Sequence, residues 1–152
     1  MKRKNTDVLK YADSDYVKFL KSVRPIGLGL RESSCKLDRG GYIRLMNQKN
    51  RAGRTISIEY KLLKVGSGYF DATGEFSLVA AESPRAKPAL AIEVVYETHF
   101  HCKDPVEKKM AERFVASELK LIMWPYFREL VFNLCGKMSI PPIPIPLAAS
   151  MD

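Results

Sequence analysis

Side chains able to hold a metal or move a proton gather at one place only, His99-Phe100-His101-Cys102. On an extended strand successive side chains alternate, so His99 and His101 share a face and Cys102 points away. Two ligands on one face fall short of the three or four that a zinc site needs. Two solvated strand histidines account for the run. Glu93 and Glu97 lie four apart on one strand face, and exposed surface charge explains them better than an acid/base couple. No G-x-S-x-G, phosphate-cradling loop or Cys/His nucleophile pairing occurs. The expectation is no catalytic residue, no metal and no cofactor: a protein that is not an enzyme.

Cys35, Cys102 and Cys135 are widely spaced, without a C-x-x-C, so each reads as a small buried or half-buried thiol rather than part of a disulfide framework. Lys and Arg outnumber Asp and Glu by 25 to 17, a net charge of +8 and a pI near 9.4. That balance favours acidic partners. Three basic clusters stand out: Lys2, Arg3 and Lys4; Lys49, Arg51 and Arg54; Arg85 and Lys87. None is interleaved with aromatics, as single-strand binding would want, which argues against direct nucleic-acid contact and for an acidic protein partner or a solvated surface. No apolar run has the length of a membrane span, and no membrane partner is expected. Asp7, Asp13 and Asp15 replace the apolar core that a signal peptide would need after its basic start, so the expectation is cytoplasmic. At 152 residues, 46% hydrophobic and 28% charged, the chain reads as a single domain over 1–152.

Several elements can be read from periodicity. Thr6 starts a short helix carrying Val8, Leu9 and Ala12, within an N-terminal arm over 1–16 that Asp13-Ser14-Asp15 ends. From Tyr16 the pattern turns extended. Ile26, Leu28 and Leu30 alternate with Gly27 and Gly29, as on a strand lying close under another backbone. Gly40-Gly41 makes a turn before a strand with Tyr42, Ile43, Leu45 and Met46, and 48–54 is a basic turn. Ile56, Ile58, Tyr60 and Leu62 give a half-buried strand that Gly66-Ser67-Gly68 ends. Phe76, Leu78 and Val79 read as a short strand, and 82–88 as a loop. Leu90, Ile92, Val94, Tyr96, Phe100 and Cys102 occupy one face of the clearest strand. Asp104-Pro105-Val106-Glu107 starts a helix with Val106, Met110 and Phe114. Strands first and helices last imply an antiparallel α+β domain.

The last thirty residues organise the rest. Tyr126 to Lys137 reads as a helix with Phe127, Leu130, Val131 and Leu134 in one apolar stripe, Pro125 in its first turn and Gly136 as its stop. Over 137–152 an extended segment follows, because Pro141, Pro142, Pro144 and Pro146 forbid a helix while Ile140, Ile143, Ile145 and Leu147 hang from the ribbon. Such an apolar ribbon must cover a groove of its own domain or dock on a second subunit.

This block, with Trp124-Pro125-Tyr126, Arg128-Glu129, Gly136 and Ile140-Pro141-Pro142 in order, resembles the SecB family of protein-export chaperones, and most closely the SecB-like chaperones associated with toxin–antitoxin modules. The resemblance implies a four-stranded antiparallel sheet followed by C-terminal helices and the Pro-rich end, assembled as a dimer of dimers. It implies a long apolar groove that holds non-native polypeptide without nucleotide or metal. Groove residues would be Leu90, Trp124, Tyr126, Ile140, Ile143, Ile145 and Leu147. Assembly would use Ile92, Val94 and Tyr96 on the strand, with Phe127, Leu130 and Leu134 on the helix. Export members are acidic and continue into a further helix and a polar tail; this sequence is basic and stops at Asp152. Both departures shift the expected client from export precursors to an antitoxin segment, any toxin contact running through that client. The alternatives are a general export chaperone and a basic nucleic-acid-binding or assembly module.

Overall fold

The computed structural model describes residues 6–48 and 53–147, with side chains from residue 14 onward. Lys2 to Lys4, the side chains of Val8, Leu9 and Ala12, Lys49 to Ala52 of the basic turn and the chain from 148 lie outside the described residues. In order come α1 Thr6–Ser22, β1 Val23–Leu37, α2 Arg39–Asn47, β2 Arg54–Val65, β3 Tyr69–Ala80, β4 Leu90–Cys102, α3 Lys108–Ser117 and α4 Leu119–Met138. The strands form one antiparallel sheet in the order β1-β4-β3-β2. The expected α+β architecture, a four-stranded antiparallel sheet followed by helices and an extended Pro-rich end, is the observed one.

Local expectations fail where tertiary contacts override weak signals. Asp13-Ser14-Asp15 does not end α1, which runs on to Ser22 instead of turning extended at Tyr16. Tyr16 and Phe19 are buried one turn apart, and packing of that face outweighs the poor helix propensity of exposed Ser14 and Asp15. Tyr42 to Met46 form helix α2, not a strand. The Asp38 side chain accepts from the Gly41 N–H at 3.0 Å, an N-cap, and a Cβ on Gly41 would come within 2.5 Å of that carboxylate. Strand β3 is longer than its Phe76–Val79 signal because Ala72, Gly74 and Ala80 fill inward positions without looking apolar. Gly27 and Gly29 do not lie under another backbone: an added Cβ would meet nothing within 4 Å at either. Strand β1 is an edge whose register slips between Pro25 and Gly27 and again between Leu30 and Glu32, so its alternation breaks and Ile26 and Leu30 face solvent. Helix α3 starts at Lys108, with Glu107 as its cap residue and no side-chain cap bond.

The core lies between one face of the sheet and the helices. Phe70, Phe100 and Phe114 stack or meet edge to face, with centroids 4.8–5.4 Å apart, beside Phe19 of α1. A second aromatic cluster joins Phe76 to Phe127 at 4.8 Å and Trp124 to Phe127 at 5.7 Å. Helix α4 approaches the sheet closely here: a Cβ on Gly74 would come within 2.5 Å of Met123 Sδ. Helix α4 therefore sits over the centre of the sheet, and whatever follows it is fixed by that placement.

Helix α4 begins at Leu119, so Pro125 falls inside it rather than in its first turn, with its ring on the exposed side. Nor does Gly136 stop the helix. Ser139 does, in the left-handed conformation at φ 53° and ψ 45°. Its N–H bonds Gly136 O at 3.1 Å and the Ile140 N–H bonds Cys135 O at 3.1 Å, the two bonds of a Schellman cap. A serine held left-handed costs about 1–2 kcal/mol, so Ser139→Gly should raise stability by about 0.5–1 kcal/mol after the extra unfolded-state entropy of glycine. Chemical denaturation would read this as a later midpoint at unchanged slope.

Candidate functional site

Helix α4 carries large apolar residues on more than its core side. Met123, Trp124, Phe127, Val131 and Cys135 are buried against the core, while Leu121, Tyr126 and Phe132 are exposed by 67%, 48% and 62%. Glu129, Asn133 and Lys137 make one exposed polar stripe, and Leu121, Pro125 and Phe132 make an exposed apolar one beside it. After the cap at Ser139 the chain folds back along α4. Ile140 and Ile143 are buried and Ile145 half-buried, and Trp124 Nε1 donates to Pro146 O at 2.9 Å. The Pro-rich ribbon thus lies on its own domain. Between it and the helix runs a groove of about 270 Å³ lined by Arg128, Phe132, Pro142, Ile143, Pro144 and Ile145.

Of the residues expected in a groove, Trp124, Ile140, Ile143 and Ile145 come together on one side of α4. Tyr126 lies on another face of α4, its ring 6.4 Å from that of Tyr96 and its carbonyl accepting from Tyr96 Oη at 3.1 Å. Burial, reinforced by the nearby charge of Glu129, pushes the Tyr96 phenol up to about 12. Leu147 is fully outward at 82% exposure, whereas Leu90 is sealed in the core and cannot line a surface groove. The expected assembly residues divide similarly. Ile92, Val94, Tyr96 and Phe127 are buried in the chain's own core: the first three share the inward face of β4, and Phe127 packs onto the sheet from α4, against Phe76. Leu130 and Leu134 remain half-buried. Leu121, Arg128 and Phe132 went unassigned in the sequence. Their signal was the outward stripe at 121, 125, 128 and 132, hidden once the helix is started at Tyr126 instead of Leu119.

The other face of the sheet has a different character. A shallow concavity of about 660 Å³ is lined by Glu32, Ser57, Glu59, Glu75, Ser77 and Glu93 among others. Lys61 bridges Glu75 at 2.8 Å and Glu59 at 3.3 Å, and Ser34 Oγ donates to Glu93 at 3.2 Å. Ile58 and Val95 also border it, but its carboxylates are the side chains that set its charge, and it is acidic where the α4 groove is apolar. His99 and His101 point outward with Asp71 beside His99, while Cys102 is buried. Among the described residues, no three His, Cys, Asp or Glu side chains are grouped to hold a metal. No described helix is long and apolar enough to cross a membrane.

No family model matches this chain and no curated protein matches it by sequence. Its architecture does have solved counterparts. One is a SecB-like chaperone of Mycobacterium tuberculosis in complex with a ChAD peptide from the HigA1 antitoxin: TM-score 0.63, 16% identity, covering 88% of this chain and 95% of that one. Another is a protein of unknown function from Streptococcus agalactiae, with TM-score 0.50, 8% identity and coverage of 82% and 97%. At such identities the likeness lies in the fold alone, and that fold is SecB-like.

Proposed function

We propose that this chain is a nucleotide-independent chaperone that holds unstructured polypeptide on the apolar side of α4 and its ribbon, and that its dedicated client is an antitoxin segment. The observation that carries this reading is the exposed apolar strip of Leu121, Pro125 and Phe132 beside the Pro-rich groove. Non-native chains share exposed apolar side chains and unpaired backbone, so an apolar strip with a preformed extended wall accepts many sequences without chemistry. The fold shared with a chaperone solved on an antitoxin peptide supports the same reading. Assembly as a cytoplasmic dimer of dimers belongs to it. The half-buried Leu130 and Leu134 and the outer edge of β1, where Ile26 and Leu30 are exposed, are the surfaces left for that contact.

Leu121→Asp and Phe132→Asp test it. Each removes roughly 1.5–3 kcal/mol of apolar burial from a complex, so affinity for a labelled unfolded protein or antitoxin C-terminal peptide should fall about tenfold or more in fluorescence anisotropy. Thermal stability should stay unchanged, since both side chains face solvent. Unaltered affinity, or no binding by the native chain, would overturn the proposal. Equal affinity for many unrelated precursors would favour a general export chaperone over a dedicated one.

A further inference from the structure

We infer that Arg128 is an anionic anchor in the client groove: an aspartate or glutamate side chain in the client's apolar segment binds its guanidinium while a neighbouring apolar side chain seats against Phe132 and Ile143. This rests on the client-groove reading above and specifies which polypeptides the groove selects. Of the residues lining the groove, Arg128 alone carries charge; the rest are apolar. Arg128 is half-buried, and its Nε is cut off from solvent without an acceptor among the described residues. Helix geometry offers it none. Its neighbours at i±3 and i±4 are Trp124, Pro125, Val131 and Phe132, and the adjacent Glu129 projects along another face, exposed.

A buried Nε donor with no acceptor among the described residues is destabilising, so the free groove leaves part of the Arg128 guanidinium unsatisfied while its outer nitrogens stay available to a ligand. A carboxylate completes it, because the guanidinium fork matches carboxylate geometry and the bond is charge-assisted. The net charge of +8 favours the approach of acidic segments to the protein as a whole. Spacing fits as well. Arg128 and Phe132 stand one turn apart, roughly 6 Å along α4, and residues i and i+2 of an extended chain are roughly 6.6 Å apart on one face. The selected client motif is therefore an apolar residue and an acidic residue separated by one position.

A matched pair of fluorescein-labelled extended peptides tests this, one carrying phenylalanine and aspartate two positions apart among small apolar residues, the other with asparagine replacing aspartate. The native chain should bind the aspartate peptide about tenfold tighter, and the gap should narrow as salt is raised. With Arg128→Met, which keeps the apolar stem, the two peptides should bind within about twofold of each other, and Arg128→Gln serves if the methionine variant fails to fold. Binding of both peptides equally by the native chain would overturn the anchor while leaving the groove standing. Discrimination that persists in the Arg128 variants would also overturn it. Binding of neither peptide would bring down the groove reading and the anchor with it.

Discussion

Phe127→Ala should destabilise the fold itself by about 3–5 kcal/mol. Phe127 is fully buried, stacked 4.8 Å from Phe76 and 5.7 Å from Trp124. Truncation removes the ring's transfer energy and leaves a cavity that neighbouring aromatics cannot fill. For a chain of this size that corresponds to a fall in Tm of roughly 10 °C or more. The outcome separates two roles. A core Phe127 predicts a lower Tm that does not depend on protein concentration. An interface Phe127 predicts a shift in oligomeric state, seen by analytical ultracentrifugation, with a concentration-dependent Tm. The burial favours the first.

Alkali should destabilise the protein through Tyr60 and Tyr96. Burial holds both phenols up to about 12 from the usual 10.0, with Glu129's charge adding to the effect at Tyr96. The neutral phenol is the form the fold favours. Below about pH 10 both folded and unfolded chains keep the proton and the full stability is present. Between about pH 10 and 12 the unfolded chain loses its phenolic protons first, so stability falls as pH rises through that window. Each group contributes on the order of 2 kcal/mol to the loss. Among the described residues Tyr60 Oη has no hydrogen-bond partner, so Tyr60→Phe should keep or raise stability at neutral pH by about 1 kcal/mol and remove its share of the alkaline loss. Tyr96→Phe gives up the bond to the Tyr126 carbonyl and should cost about 1 kcal/mol at neutral pH, yet also flatten the alkaline limb. Urea denaturation from pH 8 to 12 measures this directly. An alkaline loss identical in the native chain and both variants would place the titration elsewhere, as with Lys61, whose pKa is raised by Glu75 first.

Much of the architecture was legible because burial is one-sided. From Ile56 to Leu62 of β2 and along β4 the residues on one face are apolar or inward, so period two is unmistakable. The proline ribbon was equally readable, since proline fixes its own backbone whatever surrounds it. What failed had mixed signals. The glycines before Tyr42 look like a turn until Asp38 is seen to cap a helix there, and the small residues of β3 fill space under Met123 without announcing an apolar face.

Order and type of the C-terminal elements, the need of the ribbon for an apolar partner and the shared fold were thus set by local sequence. Periodicity says which side chains share a face, but not what that face meets. Only the tertiary structure decided that Ile92, Val94, Tyr96 and Phe127 meet the chain's own core, that Leu90 is sealed, and that the ribbon returns along α4 to Trp124. It also decided that Arg128 sits at the groove with its Nε lacking an acceptor among the described residues. Each of these depends on where α4 crosses the sheet, a long-range packing choice that no local stretch of residues encodes.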